Sequence, residues 1–367
     1  MVNKNNHLNF FRLLFALQVV YMHSTAWLKL PRGGDMTFDI IGLFPGVPLF
    51  FITSGFLITE SFLNSSSIQS YSKKRFLRIY PALFINILIL EFALYMGNNM
   101  SGFDISIFKY LAYLIVYIFT ASSDIATTVL GFSGGDIYNF NGFFKAYPSG
   151  VLWTLTVELS FYFALPVILL FYKKSRLLTL FIICILFFSS IYLSSIASHK
   201  FYSSSSLHQL LEVTFLPYAW IFLIGVILRL YWKNISKYLV DKGIYFLLIY
   251  LLFSFISNKY FGSGLWVSYK YSLDFITVIE VILLGIAMIS LAFSFTKIKI
   301  GFKSDLSYAT YLYHMLIVHI ILSSGMKTGW YTYFIVIFVT LIIAYISWRF
   351  VESPILKLKK KRILFEK

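Results

Sequence analysis

The sequence predicts an all-α protein, a polytopic bundle of membrane helices. Of its 367 residues, 59% are hydrophobic and only 13% are charged, whereas soluble domains carry about 25% charged residues. Apolar stretches of about 20 residues, the length that crosses a bilayer, recur from one end of the chain to the other. We expect a single membrane domain over residues 1–367, with its core at about 8–355 and a basic cytoplasmic tail at 356–367.

The number of membrane crossings follows from the positions of lysine and arginine. The apolar runs lie at 8–28, 43–63, 82–97, 108–121, 151–172, 177–197, 213–231, 243–258, 272–294, 308–325 and 330–350. Basic clusters follow five of these runs, and all five clusters face the cytoplasm only if one run between residues 82 and 150 does not cross. The shortest run, 108–121, is marginal for a span. The sequence therefore predicts about ten transmembrane helices plus one re-entrant segment, with both termini cytoplasmic.

Charge and cysteine content exclude several functions. The net charge of +16 does not indicate a nucleic-acid partner, because the basic residues occupy short loops at alternate crossings and no nucleic-acid motif accompanies them. Cys184 is the only cysteine, so no intrachain disulfide can form. His314 and His319 lie about 140° apart around a helix and make a poor metal pair. We expect no metal and no nucleic acid, with membrane lipid around the chain, and the oligomeric state stays open.

Two ionisable residues bracket the first apolar run. Arg12 and His23 are eleven residues apart, which places them on one face of a helix and roughly 16 Å apart along its axis. Ionisable groups at membrane depth usually mark a pathway or a site. The alternative is an arginine that reaches the membrane surface and a histidine that packs, and these two residues alone leave both interpretations open.

Three further motifs place polar or small residues in or near apolar runs. In "GVPLFFITSGFLIT", Ser54 and Gly55 allow the close approach of another helix backbone. In "RFLRIYP", Arg75 and Arg78 share one face of a helix start, where they either clamp phosphates or simply reflect membrane topology. In "LWTLTVELSFY", Glu158 lies about a third of the way into its run, and a carboxylate at that depth needs a partner.

Six motifs in order resemble the acyltransferase-3 family of integral membrane acyltransferases. They are Arg-x10-His, "GVPLFFITSGFLIT", "RFLRIYP", "LWTLTVELSFY", "SYATYLYH" and "FVESP", and they extend over nearly the whole chain. The resemblance implies transfer of an acyl group, most often acetyl, from cytoplasmic acyl-CoA to a hydroxyl of a cell-surface glycan such as O-antigen. The expected location is the bacterial cytoplasmic membrane. Some relatives carry an added extracytoplasmic hydrolase-like domain, and this chain is similar to the stand-alone type.

The resemblance also implies which residues form the site. Arg12 and His23 match the Arg-x10-His signature, in which the imidazole takes a proton from a sugar hydroxyl and the arginine serves the donor path. Arg75 and Arg78 match the Arg-x-x-Arg element and are expected to bind acetyl-CoA. Glu158 matches a glutamate that follows the tryptophan-containing motif and completes the expected catalytic set. Weaker candidates are Ser54 and His314.

Two positions qualify this assignment. Members of the family often carry an aspartate a few residues before the signature arginine, but Asn9 stands there in this chain. That departure weakens the idea that a neighbouring carboxylate orients Arg12. Glu352 in "FVESP" lies where the last helix ends before Pro354, and we interpret it as structural.

A rival interpretation is a transporter or flippase of a lipid-linked glycan. Many membrane spans with intramembrane charges also fit such a carrier. The sequence shows no internal repeat of the kind that many transporters contain. The ordered acyltransferase-like motifs therefore favour the enzyme over the carrier.

Overall fold

The computed structural model describes residues 6–30, 36–98, 107–132, 140, 142–172, 174–199, 214–261, 274–296 and 304–357. In these ranges the regular structure is helical, without a strand, and each of the predicted apolar runs coincides with a helix. The prediction of an all-α polytopic helical bundle is confirmed.

The helices of the described ranges are α1 (Leu8–Trp27), α2 (Met36–Gly42), α3 (Gly46–Leu63), α4 (Ile68–Asn98), α5 (Ile107–Thr120), α6 (Ser123–Leu130), α7 (Trp153–Leu169), α8 (Arg176–His199), α9 (Ala219–Leu230), α10 (Trp232–Leu239), α11 (Gly243–Phe261), α12 (Phe275–Ala292), α13 (Ser307–Ser323) and α14 (Trp330–Ser347). A 3₁₀ turn, Leu216–Tyr218, precedes α9, and a π-helical turn, Trp348–Glu352, follows α14.

Local sequence signals set several of these helix ends. Asp274 accepts a hydrogen bond from the backbone N–H of Thr277 at 2.7 Å and so caps the start of α12. Ser122 accepts one from the backbone N–H of Ile125 at 3.2 Å at the start of α6. α6 ends at Gly131, whose φ of +71° lies in the left-handed region that glycine adopts without strain. The short helix α6 is thus specified at both ends by its own residues.

Six helical segments of the described chain are long and apolar enough to cross a membrane. They are Phe38–Leu63, Ile68–Gly97, Arg176–Ser195, Gly243–Phe261, Phe275–Ala292 and Trp330–Lys357. A bent pair, α9 with α10 at 91°, makes a seventh span if it crosses as one unit. A multi-pass membrane protein is confirmed, whereas the count of ten spans stays a prediction. α5 has 14 residues, about 21 Å of helix against a hydrocarbon core of about 30 Å, which fits the predicted re-entrant segment.

The chain divides into two compact units that alternate along the sequence. The first unit contains Met1–Gln18, Gly33–Tyr71 and Val157–Asp305, and the second contains Val19–Arg32, Ser72–Thr156 and Leu306–Lys367. Neither unit is a continuous stretch of sequence, and the single domain predicted over residues 1–367 stays a prediction.

In the first unit, α3 and α9 pack with their backbones in contact. A Cβ atom on Gly55 would lie 2.2 Å from the carbonyl oxygen of Phe222, and one on Gly225 would lie 1.9 Å from that of Ile52. Both positions therefore require glycine. The close backbone approach predicted for Gly55 is confirmed, and Gly225 is its counterpart on the partner helix.

In the second unit, α13 is the most enclosed helix that bears candidate residues. Fourteen of its 17 residues are buried. Its apolar contacts form a core with the second half of α1, the segment after it and α14, through Val20, Leu28, Leu30, Ile317, Val318, Ile321 and Val336. α14 turns large side chains such as Phe334 and Phe338 outward, as expected of a lipid-facing surface. The polar residues of α13 are thus held in an apolar interior, where each needs a hydrogen-bond partner.

Candidate active site

A pair of histidines lies inside the second unit. Nδ1 of His23 on α1 is 2.9 Å from Nε2 of His314 on α13, and the ring planes differ by 5°. Rings packed face to face would keep their atoms about 3.5 Å apart, so the 2.9 Å contact requires the two rings to share one plane. The nitrogens are therefore joined by a hydrogen bond that lies in the ring plane, where the lone pair of an imidazole nitrogen points.

A backbone carbonyl determines which of these nitrogens carries the hydrogen. Nδ1 of His314 lies 2.9 Å from the carbonyl oxygen of Tyr311, and since a carbonyl only accepts, this nitrogen must donate. His314 is fully buried, where a charged ring would be costly, so the ring is neutral and accepts at Nε2. His23 consequently donates from Nδ1, and Nε2 is its basic nitrogen. These tautomers are assigned from the hydrogen-bond network.

Tyr311 connects the histidine pair to the start of α7. Its hydroxyl is 2.7 Å from Oγ1 of Thr154 and 3.2 Å from the carbonyl oxygen of Val151, to which it donates. Its own carbonyl is the group that holds His314. Thr154 and Tyr311 are both buried, so these hydrogen bonds are shielded from water and reinforce one another. The first turn of α7 and the histidine pair are therefore held in a defined relation.

Arg12 lies in the first unit, in an ion pair with Asp305. Nη1 of Arg12 is 2.6 Å from Oδ2 of Asp305, and the two side chains are 15% and 13% exposed. Sequence reasoning missed Asp305 and looked for a carboxylate at Asn9 instead. The available signal was an acidic residue two positions before the "SYATYLYH" motif. The carboxylate that orients Arg12 thus comes from a residue 293 positions later in the chain.

Glu158 has two hydroxyl partners in the first unit. Oε1 of Glu158 accepts a hydrogen bond from Oγ of Ser54 at 2.7 Å and another from the hydroxyl of Tyr162 at 2.6 Å. Ser54 comes from α3, and Tyr162 lies one turn after Glu158 on α7. The expectation that this carboxylate needs a partner is confirmed, and the partner on α3 is the weaker candidate Ser54.

Arg78 lies in the second unit beside Glu352. Nη1 of Arg78 is 3.6 Å from Oε2 of Glu352, which is 2% exposed, and the guanidinium lies 5.9 Å from the ring centroid of Tyr308. The hydroxyl of Tyr308 in turn donates to the carbonyl oxygen of Ile79 at 2.9 Å. Arg75 is half-buried one turn earlier on α4. From the sequence, Glu352 is interpreted as a structural residue at a helix end. Its ion pair with Arg78 was not predicted.

The candidate residues thus form four local groups. The structure brings His23 together with His314, and Ser54 together with Glu158. It pairs Arg12 and Arg78 with carboxylates that were not predicted as their partners. Arg12 and His23 lie on one continuous helix, α1, as their spacing predicts. In the part of the chain that the structure describes, no group of three or more His, Cys, Asp or Glu residues could hold a metal ion.

The fold and these groups define a membrane-embedded protein with a hydrogen-bonded pair of histidines in its interior, and comparison with known proteins supplies its class. The acyltransferase-3 family model, described as an acyltransferase domain, matches residues 5–349, and the chain belongs to this family. It is similar to Nodulation protein 10 of Rhizobium leguminosarum bv. viciae, with 35% identity over 359 residues that cover 96% of this chain and 94% of that protein.

A second relative is Peptidoglycan O-acetyltransferase OatA of Listeria monocytogenes serovar 1/2a. The two are 26% identical over 350 residues, which cover 86% of this chain and 52% of OatA, so the chain spans about half the length of that relative. No solved structure matches the chain significantly. Membership of the family makes this protein a membrane acyltransferase, as the ordered motifs predict.

Proposed function

We propose that this protein is an O-acyltransferase that moves an acetyl group from cytoplasmic acetyl-CoA to a hydroxyl of a cell-surface glycan such as O-antigen. The in-plane hydrogen bond between His23 and His314 carries the proposal, because it leaves Nε2 of His23 as a proton acceptor. The name of the relative OatA, an O-acetyltransferase that acts on peptidoglycan, supports an acetyl donor and a glycan acceptor.

The histidine pair accounts for the proton in each half of the reaction. The acceptor hydroxyl attacks the thioester carbonyl carbon, a C–O bond forms, and the hydroxyl proton passes to Nε2 of His23. Collapse of the tetrahedral adduct breaks the C–S bond, and the leaving thiolate takes the proton back from His23. His314 exchanges no proton and acts as a positioning residue that keeps His23 in one tautomer and one plane. A carboxylate has that role in the serine-protease triad.

Arg12 and Glu158 contribute fixed charges. Asp305 orients the Arg12 guanidinium through the contact between Nη1 and Oδ2. A guanidinium has five N–H donors, which is more than this one contact uses. We assign Arg12 to the donor path, where it stabilises negative charge on the thioester oxygen. Ser54 and Tyr162 hold the Glu158 carboxylate in one orientation, and we include Glu158 in the catalytic set as a fixed negative charge.

Arg75 and Arg78 fit a site for the phosphates of the acyl donor. They lie one turn apart on α4 and are half-buried, and the ion pair with Glu352 restricts the orientation of Arg78. A guanidinium held in this way binds phosphate oxygens through two parallel hydrogen bonds. The basic clusters also support a cytoplasmic face on this side and both termini in the cytoplasm of a bacterium.

The proposal is tested by transfer of labelled acetyl from acetyl-CoA to surface glycan in membranes that contain His23→Gln. The variant keeps a hydrogen bond but cannot cycle a proton, so we expect a loss of at least about 10²-fold in rate. His319→Gln, on α13 but outside the pair, is the matched control and should retain activity. Folding is checked by trypsin resistance. If His23→Gln transfers acetyl at nearly the unmodified rate, His23 is not the base and the proposal fails as stated.

The donor site is tested by acetyl-CoA binding to the Arg75→Gln, Arg78→Gln double variant. We expect binding roughly 10-fold weaker or more, because two charge-assisted contacts are lost. Lys73→Gln changes an exposed base on the same helix and should leave donor affinity intact. If the affinity for acetyl-CoA is unchanged in the double variant, both arginines reflect membrane topology and do not bind the donor.

A further inference from the structure

A cavity of about 460 Å³ lies in the second unit, lined by the end of α5, the start of α6 and the segment that enters α7. Its volume falls within the range of about 300–1,000 Å³ that is typical of small-molecule sites. For this region the sequence predicts only a re-entrant segment. Its residues have no part in the chemistry proposed above.

The lining of the cavity combines aromatic rings with oxygen-bearing side chains. The rings belong to Tyr117, Phe140, Tyr147 and Trp153, and the hydroxyls of the two tyrosines are hydrogen-bonded to each other. Asp124 and Ser149 add a carboxylate and a further hydroxyl. Aromatic faces pack against the apolar C–H faces of pyranose rings, while carboxylates and hydroxyls accept and donate hydrogen bonds to sugar hydroxyls. Aromatic faces beside hydrogen-bonding groups are the combination that a sugar ring requires.

The charge of the lining restricts the kind of sugar. Among the described residues that line the cavity, Asp124 is the only charged one, and none is lysine or arginine. The surrounding protein removes part of the hydration of Asp124 and raises its pKa above the usual value. A ligand with an acidic group would meet this carboxylate without a compensating base. The cavity therefore favours a sugar ring without an acidic substituent.

Tyr311 links the wall of the cavity to the histidine pair. Gly150, Leu152 and Trp153 line the cavity, and the neighbouring Val151 carbonyl accepts a hydrogen bond from the hydroxyl of Tyr311. The carbonyl of Tyr311 holds His314, which accepts from His23. A molecule in the cavity would thus contact the segment 150–153, and hydrogen bonds connect this segment to His23.

We propose that this cavity binds one sugar ring of the acceptor glycan, and that this ring carries no acidic group. The inference rests on the proposed function, because it assigns the acceptor site of the same reaction. Asp124 accepts hydrogen bonds from the ring hydroxyls, and Trp153 packs against the face of the ring.

Binding is measured by isothermal titration calorimetry of the full-length protein in nanodiscs, titrated with methyl glycosides. The probes are methyl β-glucoside, methyl β-galactoside and methyl N-acetyl-β-glucosaminide, with methyl β-glucuronide as the acidic counterpart. We expect a saturable change with at least one neutral glycoside, its loss in Trp153→Phe, and a dissociation constant about 10-fold higher in Asp124→Asn. The exposed acid Asp39, changed to Asn, is the matched control and should bind normally.

Several results would overturn the proposal. They are the absence of a saturable response to every neutral glycoside, equal or tighter binding of the glucuronide, and a response that survives unchanged in both cavity variants. Thermal unfolding of each variant shows that it is folded before it is titrated.

Acetyl transfer separates failure of this site from failure of the proposed function. With surface glycan as the acceptor, Asp124→Asn should raise the acceptor KM about 10-fold and leave the KM for acetyl-CoA unchanged. Transfer with an unchanged acceptor KM would reject the cavity and keep the function. Glycoside binding without any transfer by the unmodified protein would keep the cavity and reject the function.

Discussion

The α3–α9 pair and helix α13 occupy apolar interiors in opposite ways. α3 and α9 bring their backbones together at Gly55 and Gly225, so the contact consists of main-chain atoms in van der Waals range. α13 is also buried on nearly all sides, but it carries Tyr311 and His314, which are tied by hydrogen bonds to α7 and α1. The two regions therefore meet two different requirements of the protein. Small residues make a rigid support, whereas buried polar residues with defined partners supply groups that can do chemistry.

The largest effect is expected at the close helix contact. In Gly225→Ala the new Cβ would lie 1.9 Å from the carbonyl oxygen of Ile52 and 2.7 Å from the backbone nitrogen of Phe56, so the helices must separate. We expect a loss of about 3 kcal/mol or more in stability, measured by thermal unfolding and folded yield in detergent. Gly285→Ala is the control, because its Cβ would meet only the end of the Ile52 side chain closely, at 2.7 Å. Equal stability of the two variants would contradict the required backbone contact.

A smaller effect is expected at the Arg12–Asp305 ion pair. Here a polar side chain is held by an opposite charge rather than by neutral hydrogen-bond partners. Asp305→Asn keeps the size of the side chain but removes the charge that orients Arg12. We expect kcat/KM to fall roughly 10-fold. Arg229→Gln is the comparison, since Arg229 pairs with Glu60 in the same unit and has no assigned role in the site. Arg229→Gln should lower stability while acetyl transfer per folded molecule persists. If Asp305→Asn likewise lowers stability but leaves kcat/KM per folded molecule unchanged, Asp305 is merely structural.

The smallest effect is expected at Tyr311. Tyr311→Phe removes the hydroxyl that binds Val151 and Thr154 but keeps the carbonyl that holds His314. We expect about 1 kcal/mol of lost stability and an acceptor KM raised a few-fold, at an unchanged donor KM. Tyr250→Phe loses a hydroxyl contact to the Leu43 carbonyl in the first unit and should affect stability alone. If both variants change acceptor KM equally, Tyr311 does not couple the cavity to the histidine pair.

Features that depend on residues near one another in sequence were predictable. Apolar runs indicated the helices, and the spacing of Arg12 and His23 placed both on α1. The pair Ser54–Gly55 indicated a close helix contact, and the depth of Glu158 indicated a buried partner. The count of ten spans combined the apolar runs with the positions of the basic clusters and stays a prediction, because several of the predicted runs form helices shorter than a full span.

The sequence by itself determined that this protein is a helical membrane protein with acyltransferase motifs, because hydropathy and helical periodicity are local properties of the chain. Only the tertiary structure decided the partners. His23 meets His314 across 291 positions, and Arg12 meets Asp305 rather than a carboxylate at Asn9. Such pairs form because the folded helices bring distant residues to one place, where a buried polar group is stabilised by a hydrogen-bond or ion-pair partner.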